Sequence, residues 1–288
     1  MVKLLHTLQT VDRRVLYALL LLSVTLPFMP TFSNIKVPVK ISPSTQKLYD
    51  TIESIPEDSF IIFGTDWSAG TRGENGAQTE ALMRHVMKKK LRFAVLCFDP
   101  QAATLTQTMA EKLQKQYGYS EGENWCNWGY RVQEQLFFKA LANNIVSTVK
   151  ADTRGRAIET LPVMRGVTSA KDVKLLVNIN PTNSYTYYIQ YLQGPYHIPL
   201  VFAPTAVMAP EAFNYLDSGQ IAGMLNGLTG AIEYEQILNV VGRATKDSNC
   251  LSAAHLLIIF LMIMGNIAML LEKRAAKANA AMHLGGQV

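Results

Sequence analysis

Short runs of apolar residues alternate with segments of helical periodicity through the middle of the chain. Four short, mostly apolar runs predict buried strands, at residues 59–64, 92–98, 173–180 and 198–204. The segments between them have the apolar spacing of amphipathic helices, at residues 74–90, 101–117, 138–149 and 184–192. Strands that are apolar throughout are buried on both faces, and alternating helices cover those faces. The pattern therefore predicts an α/β domain with a mostly parallel sheet.

This alternation resembles a Rossmann-type doubly wound domain over residues 48–242, without the diagnostic motif of any one family. In such sheets ligands bind in the crevice beyond the carboxyl ends of the strands. The resemblance implies a place for a site but no particular activity, because one fold serves many functions.

Two longer apolar runs flank the domain. Val15–Phe32 has no charged residue over eighteen positions, and Leu251–Leu271 has none over twenty-one. At 1.5 Å per residue each is long enough for a hydrocarbon core of about 30 Å, the first with little to spare. We therefore expect two transmembrane helices, with residues 33–47 as an extended stalk and residues 243–250 as a linker.

The charges beside these runs predict an orientation. Basic residues flank both runs on their outer sides: Lys3, Arg13, Arg14, Lys273, Arg274 and Lys277. The two tails, residues 1–14 and 272–288, are therefore expected in the cytoplasm, and the α/β domain is expected to be extracytoplasmic. The first run also fits a secretory signal cleaved before Asn34, which exports the domain as well. The expected location is the cell membrane of a bacterium or archaeon.

Composition excludes two classes of protein. Apolar residues make up 49% of the 288 positions, which is ample for a packed core and unlike a disordered chain. The net charge of +5 is concentrated at the two ends, so the middle of the chain is nearly neutral. Nucleic acid is not an expected partner, because no basic stripe is present to hold phosphates.

The cysteines and histidines offer little chemistry. Cys97 and Cys126 either form one disulfide or, as we favour, stay buried thiols, and Cys250 lies at the expected membrane edge. No CxxC spacing of a metal or redox site is present. His85 and His197 could act as a base for Cys126, but no nucleophile motif accompanies them. We predict no catalytic residue, no metal and no cofactor.

The stretch FGTDWSAGTRGENG, Phe63–Gly76, leads from the first strand to the next helix. Its position suits a ligand site, and Asp66 with Arg72 would suit a small polar or anionic ligand. Its glycines, spaced by three, match neither GxGxxG nor GxxxxGK[ST]. The alternative is a structural loop in which Asp66 accepts backbone N–H bonds.

Asp99 follows the second strand as Asp66 follows the first. If these two carboxylates faced each other they would suit a divalent cation. However, Asp99 followed by Pro100 is also an ordinary helix start. We take Asp66, Arg72 and Asp99 as candidate ligand-binding residues.

A glycine-rich segment closes the domain. Residues 218–241 predict one helix, in which Gly219, Gly223 and Gly227 recur every four residues along one face. Each glycine costs about 1 kcal/mol relative to alanine in a helix, so close approach of another backbone is expected to compensate. That backbone belongs either to the same domain or to a neighbouring copy. Asn266, which is polar inside the second span, is a candidate for a hydrogen bond to another span.

Two functions fit these features. The first is a structural or interaction subunit of a membrane assembly, with the lipid bilayer and either further copies or other membrane subunits as partners. The alternative is a membrane-tethered enzyme or small-ligand sensor that uses the crevice at the strand ends. A pocket with converging polar groups favours the alternative, whereas a filled crevice with an apolar patch on the glycine-rich helix favours the first.

Overall fold

Six parallel strands form one sheet in the part of the chain that the computed structural model describes, which is residues 12–29, 32, 35 and 38–285. The strands are β1 Phe60–Thr65, β2 Arg92–Cys97, β3 Trp125–Tyr130, β4 Leu175–Asn180, β5 Leu200–Pro204 and β6 Gly223–Met224. Their order across the sheet is β3-β2-β1-β4-β5-β6, and every neighbouring pair is parallel. This is the strand order of the Rossmann fold. The prediction of an α/β fold with a Rossmann-like parallel sheet is confirmed.

Helices cover both faces of the sheet. The helices of the described residues are α1 Arg13–Thr25, α2 Pro43–Ser54, α3 Asn75–Lys88, α4 Pro100–Tyr117, α5 Glu134–Asn143, α6 Ile145–Val149, α7 Tyr185–Tyr188, α8 Gly194–Tyr196, α9 Ala209–Asp217, α10 Gly227–Ile237 and α11 Arg243–Gly285. A π-helix, Ile189–Gln193, joins α7 to α8. Side chains of α2, α3, α4 and α10 pack in one buried cluster, and those of α5, α6, α7 and α9 pack in another on the opposite face. The sheet is therefore doubly wound.

β3, which contains Trp125 and Trp128, is not among the strands that the sequence pattern predicts. Asn127 and Gly129 interrupt the apolar residues of this strand, so its sequence does not have the continuous apolar pattern that predicts a buried strand. In the structure the Asn127 amide is satisfied, because it donates to the carbonyl oxygen of Ala103 at 3.1 Å and accepts from the Gly129 N–H at 2.8 Å. Both tryptophans are buried in the strand.

One helix among the described residues is long and apolar enough to cross a membrane. It is the part of α11 from Arg243 to Arg274, and only 6% of its apolar window is buried. In the predicted first span, α1 has 13 residues and gives way to a 3-10 turn, Leu26–Phe28, that contains Pro27. Thirteen helical residues extend only about 20 Å, which is short of the hydrocarbon core. The prediction of two spans is not confirmed.

Parts of the predicted layout lie outside the described residues. These are residues 1–11 of the first tail, residues 30 and 31 of the predicted first span, residues 33, 34, 36 and 37 of the stalk, and residues 286–288 of the second tail. In α11 the Nδ2 atom of Asn266 donates to the carbonyl oxygen of Met262, at 2.9 Å, one turn earlier in its own helix. A hydrogen bond from Asn266 to another span stays a prediction.

The chain divides into two compact units, Val37–Thr245 and the two chain ends. The last residues of the first unit begin α11 around the buried carboxylate of Glu235. Its oxygens accept from the backbone N–H groups of Gly242, Ala244 and Thr245 at 2.8 to 3.0 Å. A carboxylate at the start of a helix satisfies N–H groups that have no partner within the helix. Glu235 therefore fixes where α11 begins.

The glycine-rich segment is not one helix, so the prediction of a helix over residues 218–241 is wrong. Gly219 follows the end of α9 with a φ of 77°, the left-handed conformation that favours glycine. Gly223 lies in β6, where an added Cβ would overlap the backbone of Leu48 in α2. Gly227 begins α10 with a φ of 55°. The three glycines therefore serve separate local roles and form no common stripe.

Candidate functional site

The candidate site is the crevice between the carboxyl ends of β1 and β4. These strands are neighbours, and the chain leaves β1 for α3 on one face and β4 for α7 on the other. Rossmann-like sheets bind their ligands at this point, where the strand order reverses. In this chain the side chains of Asp66, Asn178, Asn180 and Tyr188 meet there.

Asp66 is almost completely buried, with 8% of its surface exposed. Its Oδ1 accepts from the N–H of Phe98 at 2.7 Å, and its Oδ2 accepts from the amide of Asn178 at 3.1 Å. Burial raises the pKa of Asp66 to about 7, against the lowering effect of the Phe98 N–H, while the charge of Glu134 raises it further. The bond from Phe98 is the backbone contact that the structural-loop alternative expects.

The two asparagines of β4 extend this polar cluster. Asn180 donates from its Nδ2 to the Oδ1 of Asn178 and to the Ser184 hydroxyl, the latter at 3.0 Å. Its own Oδ1 accepts from the N–H of Thr182 at 2.9 Å. Both asparagines are fully buried. The network therefore holds the loop before α7 against the end of β4.

Tyr188 fills the remaining space above β1. Its side chain is fully buried, and a Cβ added to Gly64 would overlap its hydroxyl. Asp66 and Asn178 are its polar neighbours, yet the hydroxyl has no hydrogen-bond partner of standard geometry among the described residues. The crevice of this sheet is therefore occupied by side chains of the chain itself.

The start of α3, which faces the phosphates in nucleotide-binding Rossmann domains, is also closed by internal contacts. Glu74 accepts from the N–H of Ala206, in the loop after β5, at 2.7 Å. The Gln78 amide donates to the carbonyl oxygens of Pro204, Leu225 and Gly227 at 2.7 to 3.1 Å. These contacts tie α3 to the neighbouring loops and leave its first turn inside the domain.

The structure does not bring together the three predicted ligand residues. Asp99 caps α4, because its Oδ1 accepts from the N–H groups of Gln101 and Ala102 at 2.7 and 3.2 Å. Arg72 is exposed on the loop before α3 and forms no ion pair in the described part of the chain. No hydrogen bond connects Asp66, Arg72 or Asp99 to one another there. Within the described residues no three His, Cys, Asp or Glu side chains are grouped to hold a metal ion.

An open cleft of about 470 Å³ lies at the same edge of the sheet, where the start of α5 meets α7. Five residues line it: Gln133, Glu134, Gln135, Leu136 and Tyr187. Glu134 is half-buried, and burial raises the pKa of its carboxyl group. Because its charge also raises the pKa of Asp66, it lies close to the filled crevice. No sequence pattern marked Glu134, whereas polar Asn178 and Asn180 inside an apolar strand could have marked the crevice.

The α/β unit exposes large apolar side chains in two groups at the carboxyl edge of the sheet, one beside β3 and one beside β5, which are four strands apart in the sheet order. Within residues 38–245 they are Tyr130, Val132, Leu136, Val207 and Phe213, which we call the apolar edge surface. The first three lie at or after the end of β3, and the other two follow β5. Because all strands are parallel, these positions share the carboxyl edge of the sheet. Val207 is 86% exposed and Leu136 is 63% exposed.

Among the residues that the structure describes, the cysteines and histidines are buried or bound by neighbouring side chains of the domain, or lie apart from one another. Cys97, Cys126 and Cys250 are free and buried, so the thiol interpretation holds and the disulfide alternative does not. Burial raises the pKa of Cys126, which disfavours the thiolate. His85 is committed to Glu53, at 2.9 Å, and to the hydroxyl of Tyr234.

Compared with known proteins, the chain matches no protein-family model and no curated protein. The case for a function therefore depends on the residues and their geometry.

Proposed function

We propose that the chain is a membrane-tethered interaction subunit whose α/β domain docks a partner protein through the apolar edge surface. The position of the exposed apolar side chains carries this proposal. Within residues 38–245 all the exposed large apolar residues follow β3 or β5, at one edge of the sheet. The two groups are about 19 Å apart along this edge, so one partner that lies along the edge can cover both, and exposed apolar residues on a shared edge favour an interaction site.

The filled crevice supports an interaction role over a small-ligand role. A ligand in the usual position would have to displace Tyr188, which is fully buried over Gly64. It would also have to separate Asp66 from Asn178 and from the Phe98 N–H. Each displaced group would lose a buried contact that the ligand must replace.

The candidate span in α11 supports the membrane tether. Its apolar side chains are exposed, among them Leu256 at 68% and Phe260 at 58%. An exposed apolar helix of this length is stable only in contact with lipid or another apolar surface. In this proposal the bilayer is one partner, the domain is extracytoplasmic, and residues 272–288, which follow the span, are cytoplasmic.

The protein partner in this proposal is another membrane subunit and not a second copy of the chain. The glycine stripe that would have allowed packing against a neighbouring copy is absent, because an added Cβ at Gly223 would overlap Leu48 of its own chain. A two-fold dimer would also place the same surface against itself. Such an interface would bury two Glu134 carboxylates, and no residue that lines either cleft supplies a cation to pair with them.

Site-specific photo-crosslinking tests the proposal. A photoreactive residue replaces Val207 in the full-length chain, and crosslinking is carried out in the cells that produce it. In a control version the photoreactive residue replaces Lys115, which is exposed on α4. We expect Val207 to give one discrete crosslinked product with another membrane protein, and Lys115 to give none. Equal or absent crosslinking at the two positions would contradict the proposal.

A further inference from the structure

The cleft at the start of α5 contains a carboxylate without a partner. Glu134 is half-buried, and no hydrogen bond or ion pair to its side chain exists among the described residues. Burying a carboxylate is unfavourable unless a cation or several donors compensate. The first turn of α5 offers partial compensation, since a helix N-terminus favours negative charge. The helix start therefore stabilises the Glu134 carboxylate in the free chain, and the carboxylate can still pair with a cation that enters the cleft.

The nearest arginine in the sequence is already committed elsewhere. The guanidinium of Arg131 donates to the carbonyl oxygens of Trp128 and Ala151 at 2.6 and 3.1 Å. It also lies over the ring of Phe137, 5.8 Å from the centroid. These contacts hold the Arg131 guanidinium, and no ion pair joins it to Glu134 among the described residues.

The lining of the cleft fits an organic cation better than a metal ion. Gln133 and Gln135 supply amide groups, and the Tyr187 ring supplies an aromatic face that attracts ammonium and guanidinium groups. A metal ion would need several oxygen or nitrogen ligands, and no group of three acidic, histidine or cysteine side chains exists among the described residues.

The surroundings of the cleft identify the source of that cation. Leu136 belongs both to the cleft and to the apolar edge surface, and Val132 lies just before it in the chain. A cation that enters the cleft is therefore held beside exposed apolar side chains. A lysine or arginine flanked by apolar residues supplies both a positive charge for the cleft and apolar groups for the side chains beside it. A free amine supplies only the charge.

We infer that the partner subunit inserts a lysine or arginine side chain into the cleft to pair with Glu134, while apolar residues beside it cover Leu136 and Val132. This inference rests on the proposed function, because it names what the docking surface recognises. The charged pair sets the specificity of docking, and the apolar contacts supply most of the buried area.

The experiment places the photoreactive residue at Leu136 of the full-length chain and compares three versions, with Glu134 intact, Glu134→Gln and Glu134→Lys. We expect crosslinking to the partner to fall about tenfold or more in Glu134→Lys and by less in Glu134→Gln. Glu159→Lys, which makes the same charge change at an exposed position after α6, should leave the yield unchanged. Peptide mapping should find a lysine or arginine among apolar residues in the crosslinked segment.

A charge exchange completes the test. Replacing the mapped lysine or arginine with glutamate should restore crosslinking to Glu134→Lys. This inference is wrong if the crosslinking yield at Leu136 is the same in all Glu134 variants, or if the mapped segment contains no lysine or arginine. In either case, crosslinking at Val207 would still support the docking surface. If neither Leu136 nor Val207 crosslinks, or the product is a second copy of the chain, the proposed function and this inference are both wrong.

Discussion

The hydroxyl of Tyr188 lies over Gly64 in the space that a Cβ at position 64 would need. Tyr188 comes from α7, after β4, and Gly64 lies in β1, so the contact bridges the two strands at which the order of the sheet reverses. This is the point where a Rossmann-like sheet ordinarily admits a ligand. The contact explains why the crevice is closed and why glycine is required in a strand that is otherwise apolar.

Gly64→Ala should therefore destabilise the domain, by about 1 to 3 kcal/mol, because the new methyl group overlaps a buried side chain. The carbonyl oxygen of Val177 lies 3.1 Å from the same position, so the alanine has no free space to move into. Tyr188→Phe removes the overlapping hydroxyl and should restore part of the loss. Unfolding of the full-length chain in detergent, followed by the fluorescence of the three tryptophans, measures each change.

Gly73→Ala is the matched control, since a Cβ there meets nothing within 4 Å. It should leave the unfolding midpoint within experimental error of the original chain. A Gly64→Ala variant as stable as Gly73→Ala would mean that the crevice has room, and the small-ligand alternative would gain support.

Asp66 predicts a pH dependence of stability. Its folded pKa, raised by burial to about 7, lies above the ordinary value of 3.8 expected in the unfolded chain. Between these values the folded state holds a proton that the unfolded state lacks, so stability should fall as pH rises, by up to about 1.4 kcal/mol per pH unit. The contribution is fully present below about pH 3.8 and lost above about pH 7.

Asp66→Asn removes this titration and keeps an oxygen for the Phe98 N–H. The difference in unfolding free energy between the variant and the original chain should therefore shift in favour of the variant from pH 4 to pH 7, and then level off. Burial lowers the pKa of His85, whose effect has the opposite sign, but it is common to both chains and cancels in the difference. A difference that does not vary with pH would contradict the buried, protonated state of Asp66.

Gly223→Ala should destabilise the domain without changing the number of copies in an assembly. The added Cβ would overlap the backbone of Leu48, which belongs to the same chain, and backbone moves less readily than a side chain. Unfolding and light scattering of the detergent-extracted protein measure the two properties separately. A variant that is as stable as the original chain but forms an assembly with fewer copies would show that Gly223 lies in an intermolecular contact.

The proposed orientation predicts which cysteines are accessible from outside the cell. A cysteine introduced at Lys40 should react with a thiol reagent that cannot cross membranes, and one introduced after Ala275 should not. The native thiols are buried and should give little background. Reaction only at the second position would reverse the orientation.

The sequence predicts the central strands because they consist almost entirely of apolar residues, which indicate burial on both faces. Every side chain of β1 and β4 is buried, and all but two residues of β4 are apolar. In β3, Asn127 satisfies its amide with Ala103 and Gly129, and a contact to a distant helix leaves no local pattern. The glycine spacing wrongly predicted one helix for the same reason. Gly223 is a glycine because it lies against the backbone of Leu48, which is far away along the chain.

The candidate site was only partly predictable. The position of Asp66 at a strand end follows from the sequence, but its burial depends on Tyr188 and Asn178, which arrive from another part of the chain. Glu134 looks like an ordinary first-turn acid, because helix starts commonly contain one. Its lack of a partner and its place in a cleft become visible only when α5 and α7 are side by side.

Native mass spectrometry of the detergent-extracted complex tests docking through the apolar edge surface most directly. The chain is compared with a variant that carries Leu136→Asp and Val207→Asp, and with a charge-matched control, Thr104→Asp with Ser120→Asp, at exposed positions in α4 and in the loop after it. We predict that the original chain and the control retain one partner subunit in fixed ratio, and that the first variant loses it while its unfolding midpoint is unchanged. The same complex in all three samples, or no partner in any of them, would contradict the account.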